Sequence, residues 1–258
     1  MRFAVVGDPV AHSKSPAIHN AAFAALGIEA TYGAIRVPAG EFDRIVAELV
    51  QGDLDGVNVT MPLKADAFGS VDDLSPAATV ADSVNTVTVH DGALVGHNTD
   101  VDGVAYAINK LGVDDSSPVL ILGAGGAARA AAVALKGRNL FVAARREAAA
   151  RSVLETTAVV GDVVAWGEHV DNAIVINATP IGMHGGSLPD LVLEHAAAIV
   201  DMAYGEGQTS AVRTGWAREL PTADGLDMLV GQAAAAFALF VGVEAPVTIM
   251  EAAARGDG

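Results

Sequence analysis

No cysteine occurs among the 258 residues, which excludes disulfides, thiolate nucleophiles and zinc sites built on Cys. Lysine is scarce, the whole set being Lys14, Lys64, Lys110 and Lys136. Fifteen Lys and Arg stand against 31 Asp and Glu, a formal charge of −16. That balance argues against nucleic acid as a partner and repels any anionic cofactor or substrate. An anion site in such a chain must be locally positive or built from helix N-termini. Long apolar runs are missing as well. Leu229 to Val241 is too short to span a bilayer, and the opening MRFAVVGDPVAHS turns polar too soon for a secretory signal. No membrane partner is expected, cytoplasm is the default location, and no metal-ligand pattern is read. What the chain does have is 52% hydrophobic residues, enough for a substantial core in one large domain or two moderate ones.

The most informative stretch is Val119 to Arg146. It opens with an unbroken apolar strand, Val119 to Leu122, of the kind buried in a parallel sheet. Gly123, Gly125 and Ala128 then fit G-x-G-x-x-G/A: the first glycine makes the turn, the second admits a pyrophosphate, and the third small residue lets helix pack on strand. A helix from about Gly126 to Lys136 points its N-terminal N–H groups at that phosphate, and Gly137 is placed to end it. A second strand runs from Leu140 to Ala144. An enzyme using NAD would place an acidic residue near its end for the ribose 2′-hydroxyl. Here Arg145 and Arg146 follow instead, two guanidinium groups suited to a 2′-phosphate, so the expected cofactor is NADP.

Ahead of this unit, strand Phe3–Val6, a helix with Ser15 as N-cap and Pro16 in its first turn, strand Thr31–Val37, helix Glu41–Val50 and strand Gly56–Thr60 alternate as parallel α/β structure does. Asn85–His90 and Leu94–His97 flank Asp91-Gly92, a hairpin signal, and this hairpin is expected to edge the first sheet. A helix from Val101 to Leu111 leads into the nucleotide unit. After Arg146 come helix Glu147–Leu154 and strands Asp162–Ala165, Ala173–Asn177 and Ile199–Met202. Met228–Gly242 and a segment starting at Pro246 are the last helices, and Arg255–Gly258 reads as a frayed tail. The expected fold is two-lobed α/β. An N-terminal substrate-binding lobe spans residues 1–101 plus 226–258, and a doubly wound, Rossmann-type dinucleotide lobe spans 102–225.

A nicotinamide cofactor supplies only hydride, so the rest of the chain must hold the substrate and move a proton. Open α/β sheets bind ligands beyond the carboxyl ends of their strands. That rule selects His12-Ser13-Lys14-Ser15, Asn58 through Thr60 to Lys64, and Asn98-Thr99-Asp100. Singly, Ser15 and Asp100 read as helix caps and Lys64 as a solvated lysine in a first helical turn. Together they read as a site. Tyr106 and Lys110 have the Tyr-x-x-x-Lys spacing of short-chain dehydrogenases, but they precede the glycine loop, and Tyr106 is read as a packing residue.

The chain resembles the shikimate dehydrogenase family over nearly its whole length. The motifs are Ser13-Lys14-Ser15-Pro16, Asn58-Val59-Thr60 through Pro62 to Lys64, Val84-Asn85-Thr86, Asn98-Thr99-Asp100, Gly123-Ala124-Gly125-Gly126-Ala127, Asn177-Ala178-Thr179-Pro180, Ala223-Asp224-Gly225 and Gln232-Ala233-Ala234. The resemblance implies reversible NADPH-dependent reduction of 3-dehydroshikimate to shikimate, on the way to aromatic amino acids. It implies Lys64 and Asp100 as the catalytic residues, and Ser13 and Ser15, assisted by Tyr204, as holders of the carboxylate. Asn58, Thr60, Asn85 and Gln232 would bind ring hydroxyls. Gly123, Ala124, Gly125, Gly126, Ala127, Arg145, Arg146, Thr179 and Gly225 would bind NADP, with the last two helices returning to the substrate lobe. A monomer or homodimer is expected. The chain departs from the family in one place: NADP-using members commonly read Asn-Arg-Thr with another Arg three residues on. Here Ala144-Arg145-Arg146 stands, and Arg151 falls two positions late. The alternatives are a quinate/shikimate dehydrogenase with NAD or dual cofactor use, and a non-catalytic NADP-sensing module. A methylene-tetrahydrofolate dehydrogenase would need an aromatic pterin platform that these loops lack.

Overall fold

Residues 1–205 and 207–256 are described by a computed structural model, which divides into two units, Met1–Thr99 with Leu229–Gly258, and Asp100–Met228. The first unit opens with β1 (Arg2–Gly7), α1 (Ser15–Leu26), β2 (Thr31–Arg36), α2 (Asp43–Val50) and β3 (Gly56–Val59). Both β2 and β3 pair with β1 in parallel, as the alternation of apolar strands with helices predicts. Next come α3 (Lys64–Ser70), β4 (Asp73–Leu74), α4 (Pro76–Ala81), β5 (Thr86–His90) and β6 (Ala93–His97), in a sheet ordered β2-β1-β3-β5-β6-β4.

The β5–β6 hairpin forms, with Asp91 and Gly92 both at positive φ, as a two-residue primed turn requires. It does not edge the sheet. The two-residue β4 lies outside it, parallel to β6, and is too short for any periodicity to show. The start of α1 differs too. Ser15 is its first helical residue and is buried, while the hydroxyl of Ser13 accepts the Ser15 N–H at 3.2 Å. The N-cap position is therefore Lys14, which makes no side-chain cap bond, and not Ser15. One face of the sheet buries Val6, Phe42, Ile45, Leu49, Val57 and Leu63.

In the second unit α5 (Asp100–Leu111) precedes β7 (Val119–Leu122), α6 (Gly126–Ala134), β8 (Leu140–Ala143), α7 (Glu147–Thr157), β9 (Asp162–Val163) and β10 (Ala173–Asn177). Then follow α8 (Asp190–Glu194), β11 (Ala196–Asp201), α9 (Ser210–Ala217) and β12 (Thr222–Ala223). Every strand pair is parallel. The order β12-β11-β10-β7-β8-β9 is the 3-2-1-4-5-6 order of a Rossmann sheet counted from β7, with its switch point between β7 and β10. The helix α6 ends at Ala134, earlier than expected. The N–H groups of Lys136 and Arg138 reach back only three residues, to Val133 and Leu135, so Gly137 serves the turn into β8.

The chain passes back to the first unit along α10 (Gly225–Val241) and ends with α11 (Val247–Arg255). Helix α10 starts three residues before the expected Met228 because of a reciprocal cap. Asp224 Oδ1 accepts the N–H groups of Leu226 and Asp227, and Asp227 Oδ2 accepts that of Asp224. Lys110 Nζ, 2.8 Å from Asp227 Oδ1, braces it. The tyrosine–lysine decoy thus has its lysine committed to a helix cap. Farther along α10, Phe237 and Phe240 join Phe3, Phe23, His19 and Tyr32 in an aromatic cluster, with Phe3 and Phe240 stacked at 4.6 Å. Gly56 makes room for it, since a Cβ there would meet the Phe240 ring at 2.8 Å. Of the expected frayed tail, Arg255 is the last residue of α11, and residues 257–258 lie outside the described residues.

Candidate active site

In the first unit the selected polar residues gather at one end of the sheet. Asn58 sits in β3 and Asn85 just ahead of β5. Tyr32 Oη donates to Asn58 Oδ1 at 2.6 Å, and Asn58 Nδ2 donates to Thr86 Oγ1 at 2.9 Å. Asn85 Nδ2 donates to Thr99 Oγ1 at 3.1 Å and to Gln232 Oε1 at 3.0 Å, while Asn85 Oδ1 accepts the Thr99 N–H at 2.7 Å. The structure therefore brings Asn58, Asn85 and Gln232 into one network, and it adds Tyr32, Thr86 and Thr99. Amide orientations are fixed by these bonds, so the set presents defined neutral donors and acceptors, as recognition of a polyol demands. Nearby Asn98 donates to Ser83 O, yet its Oδ1 is buried with no hydrogen-bond partner.

Two more pieces belong to this unit. Ser13 Oγ and Ser15 Oγ lie 3.2 Å apart at the start of α1, where hydroxyls and helix N–H groups together suit a carboxylate. Thr60 follows β3, its N–H bonded to Val6 O, and the loop through Met61 is tied to Asp8 N–H. That loop delivers Lys64 as the first residue of α3, half-buried. A cation at a helix N-terminus opposes the dipole, so the helix itself does not ask for a lysine there.

In the second unit Asp100 opens α5 and is 3% exposed. It lies close enough to Tyr204 that its negative charge, after burial itself, raises the phenol above its ordinary value. Tyr204 therefore remains a neutral hydrogen-bond donor. Beyond β10 and β11 is a network the sequence did not reveal. Asn177 Nδ2 donates to Asp201 Oδ1 at 2.7 Å, Thr209 donates to Asp201 Oδ2, and Asn177 Oδ1 accepts both the N–H and hydroxyl of Thr179. Burial raises the Asp201 carboxyl above its usual range. These bonds fix the turn holding Thr179, and Gly225 packs against the Ala203 carbonyl nearby.

The glycine loop lies at the switch point. Gly123 has φ +130°, and a Cβ there would come within 2.7 Å of Ala178 O, so only glycine is tolerated. At Gly125 an added Cβ would meet nothing within 4 Å. No side chain caps α6, so the N–H groups of its first turn, which holds Gly126 and Ala127 after Ala124 and Gly125, are left without a side-chain acceptor. This is a fit for a pyrophosphate. Arg145 and Arg146 follow β8, both exposed, and neither has an ion pair among the described residues. Arg151 instead binds Glu147 at 2.7 Å one turn away, so it does not replace the cation missing from the family pattern.

A family model described as the shikimate dehydrogenase substrate binding domain matches residues 5–87, and one described as the shikimate 5′-dehydrogenase C-terminal domain matches residues 225–255. A shikimate dehydrogenase (NADP(+)) of Desulforamulus reducens is 37% identical, over 95% of this chain and 91% of its own. One from Thermus thermophilus is 38% identical over 99% and 98%. Among solved structures, shikimate 5-dehydrogenase from Thermus thermophilus in complex with NADP(H) and shikimate superposes with a TM-score of 0.91 at 37% identity, covering 99% of both chains.

Proposed function

The chain belongs to the shikimate dehydrogenase family, and from that premise we propose that it catalyses the reversible, NADPH-dependent reduction of 3-dehydroshikimate to shikimate, in the cytoplasm and in service of aromatic amino acid biosynthesis. The first unit holds the substrate and the second holds NADP, whose nicotinamide supplies the hydride when bound. The N–H groups at the start of α6 and the loop Gly123 to Ala127 take the pyrophosphate, with Thr179 and Gly225 alongside. Arg145 and Arg146 take the 2′-phosphate. Ser13 and Ser15 bind the substrate carboxylate with the help of the Tyr204 phenol. Asn58, Thr60, Asn85 and Gln232 bind ring hydroxyls, their amides held by Tyr32, Thr86 and Thr99.

Carbonyl reduction develops negative charge on oxygen, which needs a cation and a proton within reach. Lys64 supplies the cation, and Lys64 with Asp100 carries the proton that the oxygen takes in reduction and returns in oxidation. A monomer or homodimer suffices for this chemistry. The observation that carries the reading is similarity to NADP-dependent shikimate dehydrogenases along the whole chain. The test is absorbance of the reduced nicotinamide when purified protein meets shikimate and NADP⁺, with quinate and NAD⁺ as comparison arms. Turnover with shikimate and NADP⁺ should exceed every other arm. No turnover in any arm leaves a non-catalytic NADP-binding module, and faster turnover of quinate reassigns the substrate.

A further inference from the structure

At the amino ends of β10 and β11, the rim opposite the one that carries the glycine loop and Thr179, three metal-ligating side chains converge. His169 and Asp171 come from the loop before β10, and His195 from the residue between α8 and β11. Asp171 Oδ1 is 2.8 Å from His195 Nδ1 and 3.5 Å from His169 Nε2. The two imidazoles stack with centroids 3.8 Å apart and planes 29° from parallel. All three ligand atoms lie within 4.8 Å of one another. Nothing in hydride transfer uses them.

A tetrahedral zinc ion with bonds of about 2.0–2.2 Å needs ligand atoms about 3.3–3.5 Å apart. The 2.8 and 3.5 Å separations to Asp171 bracket that edge and the two ring nitrogens stand within 4.8 Å of each other, so side-chain rotations bring one nitrogen from each ring and one carboxylate oxygen onto a common centre. The ligand set also selects. Two imidazoles and a carboxylate suit zinc and its neighbours in the first transition row, whereas magnesium and calcium prefer all-oxygen shells. His169 Nδ1 is buried without a hydrogen-bond partner, so Nε2 is the ring's working atom, facing Asp171. The net −16 of the chain favours a dication over an anion in general, although the Arg218 guanidinium binds the carbonyls of Leu193 and Glu194 beside His195.

We propose that His169, Asp171 and His195 form a binding site for a zinc-class divalent cation, with water in the fourth position, that clasps the loop before β10 to the start of β11. Such a cation binds the folded form and not the unfolded one, and so raises the thermal midpoint. The experiment uses full-length, untagged protein stripped with a chelator and titrated with Zn²⁺ against a chromophoric competitor, alongside Co²⁺ absorption. One Zn²⁺ per chain, four-coordinate Co²⁺ bands and an upward shift in melting temperature are expected. His195→Ala and His169→Ala should each lower the affinity by roughly tenfold or more and abolish the shift. His90→Ala, on the exposed hairpin of the other unit, should leave both unchanged. Melting the apo variants confirms that each still folds. Absence of stoichiometric binding overturns the site, as does equal binding by the His195→Ala and His169→Ala variants.

Discussion

The two units are built of different materials at their candidate sites. The first offers side chains locked to one another: Asn58, Asn85, Thr86, Thr99 and Gln232 share one buried network, with Tyr32 behind it. The second offers main chain and open space: a glycine at φ +130°, an uncapped helix N-terminus and two exposed arginines. Buried networked polar groups serve folding and recognition at once, because each is costly to leave unpaired. An open backbone cradle serves recognition alone. Damage to the first site should therefore appear as lost stability as well as lost activity, and damage to the second as weaker cofactor binding in a protein that melts normally.

Lys64→Ala is the largest effect expected and sharpens the contrast. Its ammonium acts on the reacting oxygen and not on the dinucleotide, so turnover should fall by roughly 10²–10⁴-fold while NADP binding holds. Near-normal turnover would remove Lys64 from the chemistry.

Acid should separate the units next. His19 is buried with no polar partner, and burial lowers its imidazole to about 3 from 6.5. Below pH 6.5 the unfolded chain takes a proton that the folded first unit refuses, so stability falls as pH falls, by on the order of 4 kcal/mol at pH 3. Asp201 in the second unit runs the other way. Its raised carboxyl protonates more readily folded than unfolded, so acid relieves the burial of its charge. Trp166 and Trp216 both lie in the second unit, which makes their fluorescence a reporter of that unit alone. On acidification, hydrogen exchange should rise in the first unit before the tryptophan signal changes, and His19→Phe should delay it. Simultaneous loss in both units would refute the assignment.

Asn85→Ala should destabilise by about 1–3 kcal/mol, because the Thr99 N–H and Gln232 lose their partner. Its counterpart, Gly125→Ala, finds no neighbour within 4 Å and should leave melting unchanged while raising KM for NADP. If the two variants melt alike, the contrast fails. The smallest effect belongs to Arg145 and Arg146. Exposed and screened, they should together contribute about tenfold to KM for NADP when both become alanine, with KM for NAD unchanged and the preference shrinking in salt. Equal weakening toward both cofactors would point to Arg129 or to the backbone instead.

Much of this is legible from residue order. The glycine loop and the parallel alternation locate the Rossmann sheet, and the strand-end rule selects Asn58, Lys64, Asn98 and Asp100 as candidates, because each depends on local pattern. What escapes depends on distance in space. Tyr32 reads as an ordinary strand residue until its hydroxyl reaches Asn58, 26 positions away. Asp201 sits in an apolar run and gains meaning only from Asn177 and Thr209. The short β4 and α4 leave no trace in the pattern because two or six residues carry no period. Helix α10 begins earlier than its apolar stripe does, because Gly225 hides a cap that becomes visible only when Asp227 folds back on Asp224.

The aromatic cluster that joins Phe237 and Phe240 to Phe3, Phe23 and His19 also sets an order of assembly. On the ribosome the strands of the first unit emerge before the second unit, yet their core lacks its closing rings until the chain beyond Leu229 has been made. The second unit, contiguous from Asp100 to Met228, has its sheet complete while the first is still unfinished. The first unit is thus completed after the second: Phe3 can meet Phe23 early but gains Phe240 only at the end, and it is at this unfinished face that a chaperone would find its grip.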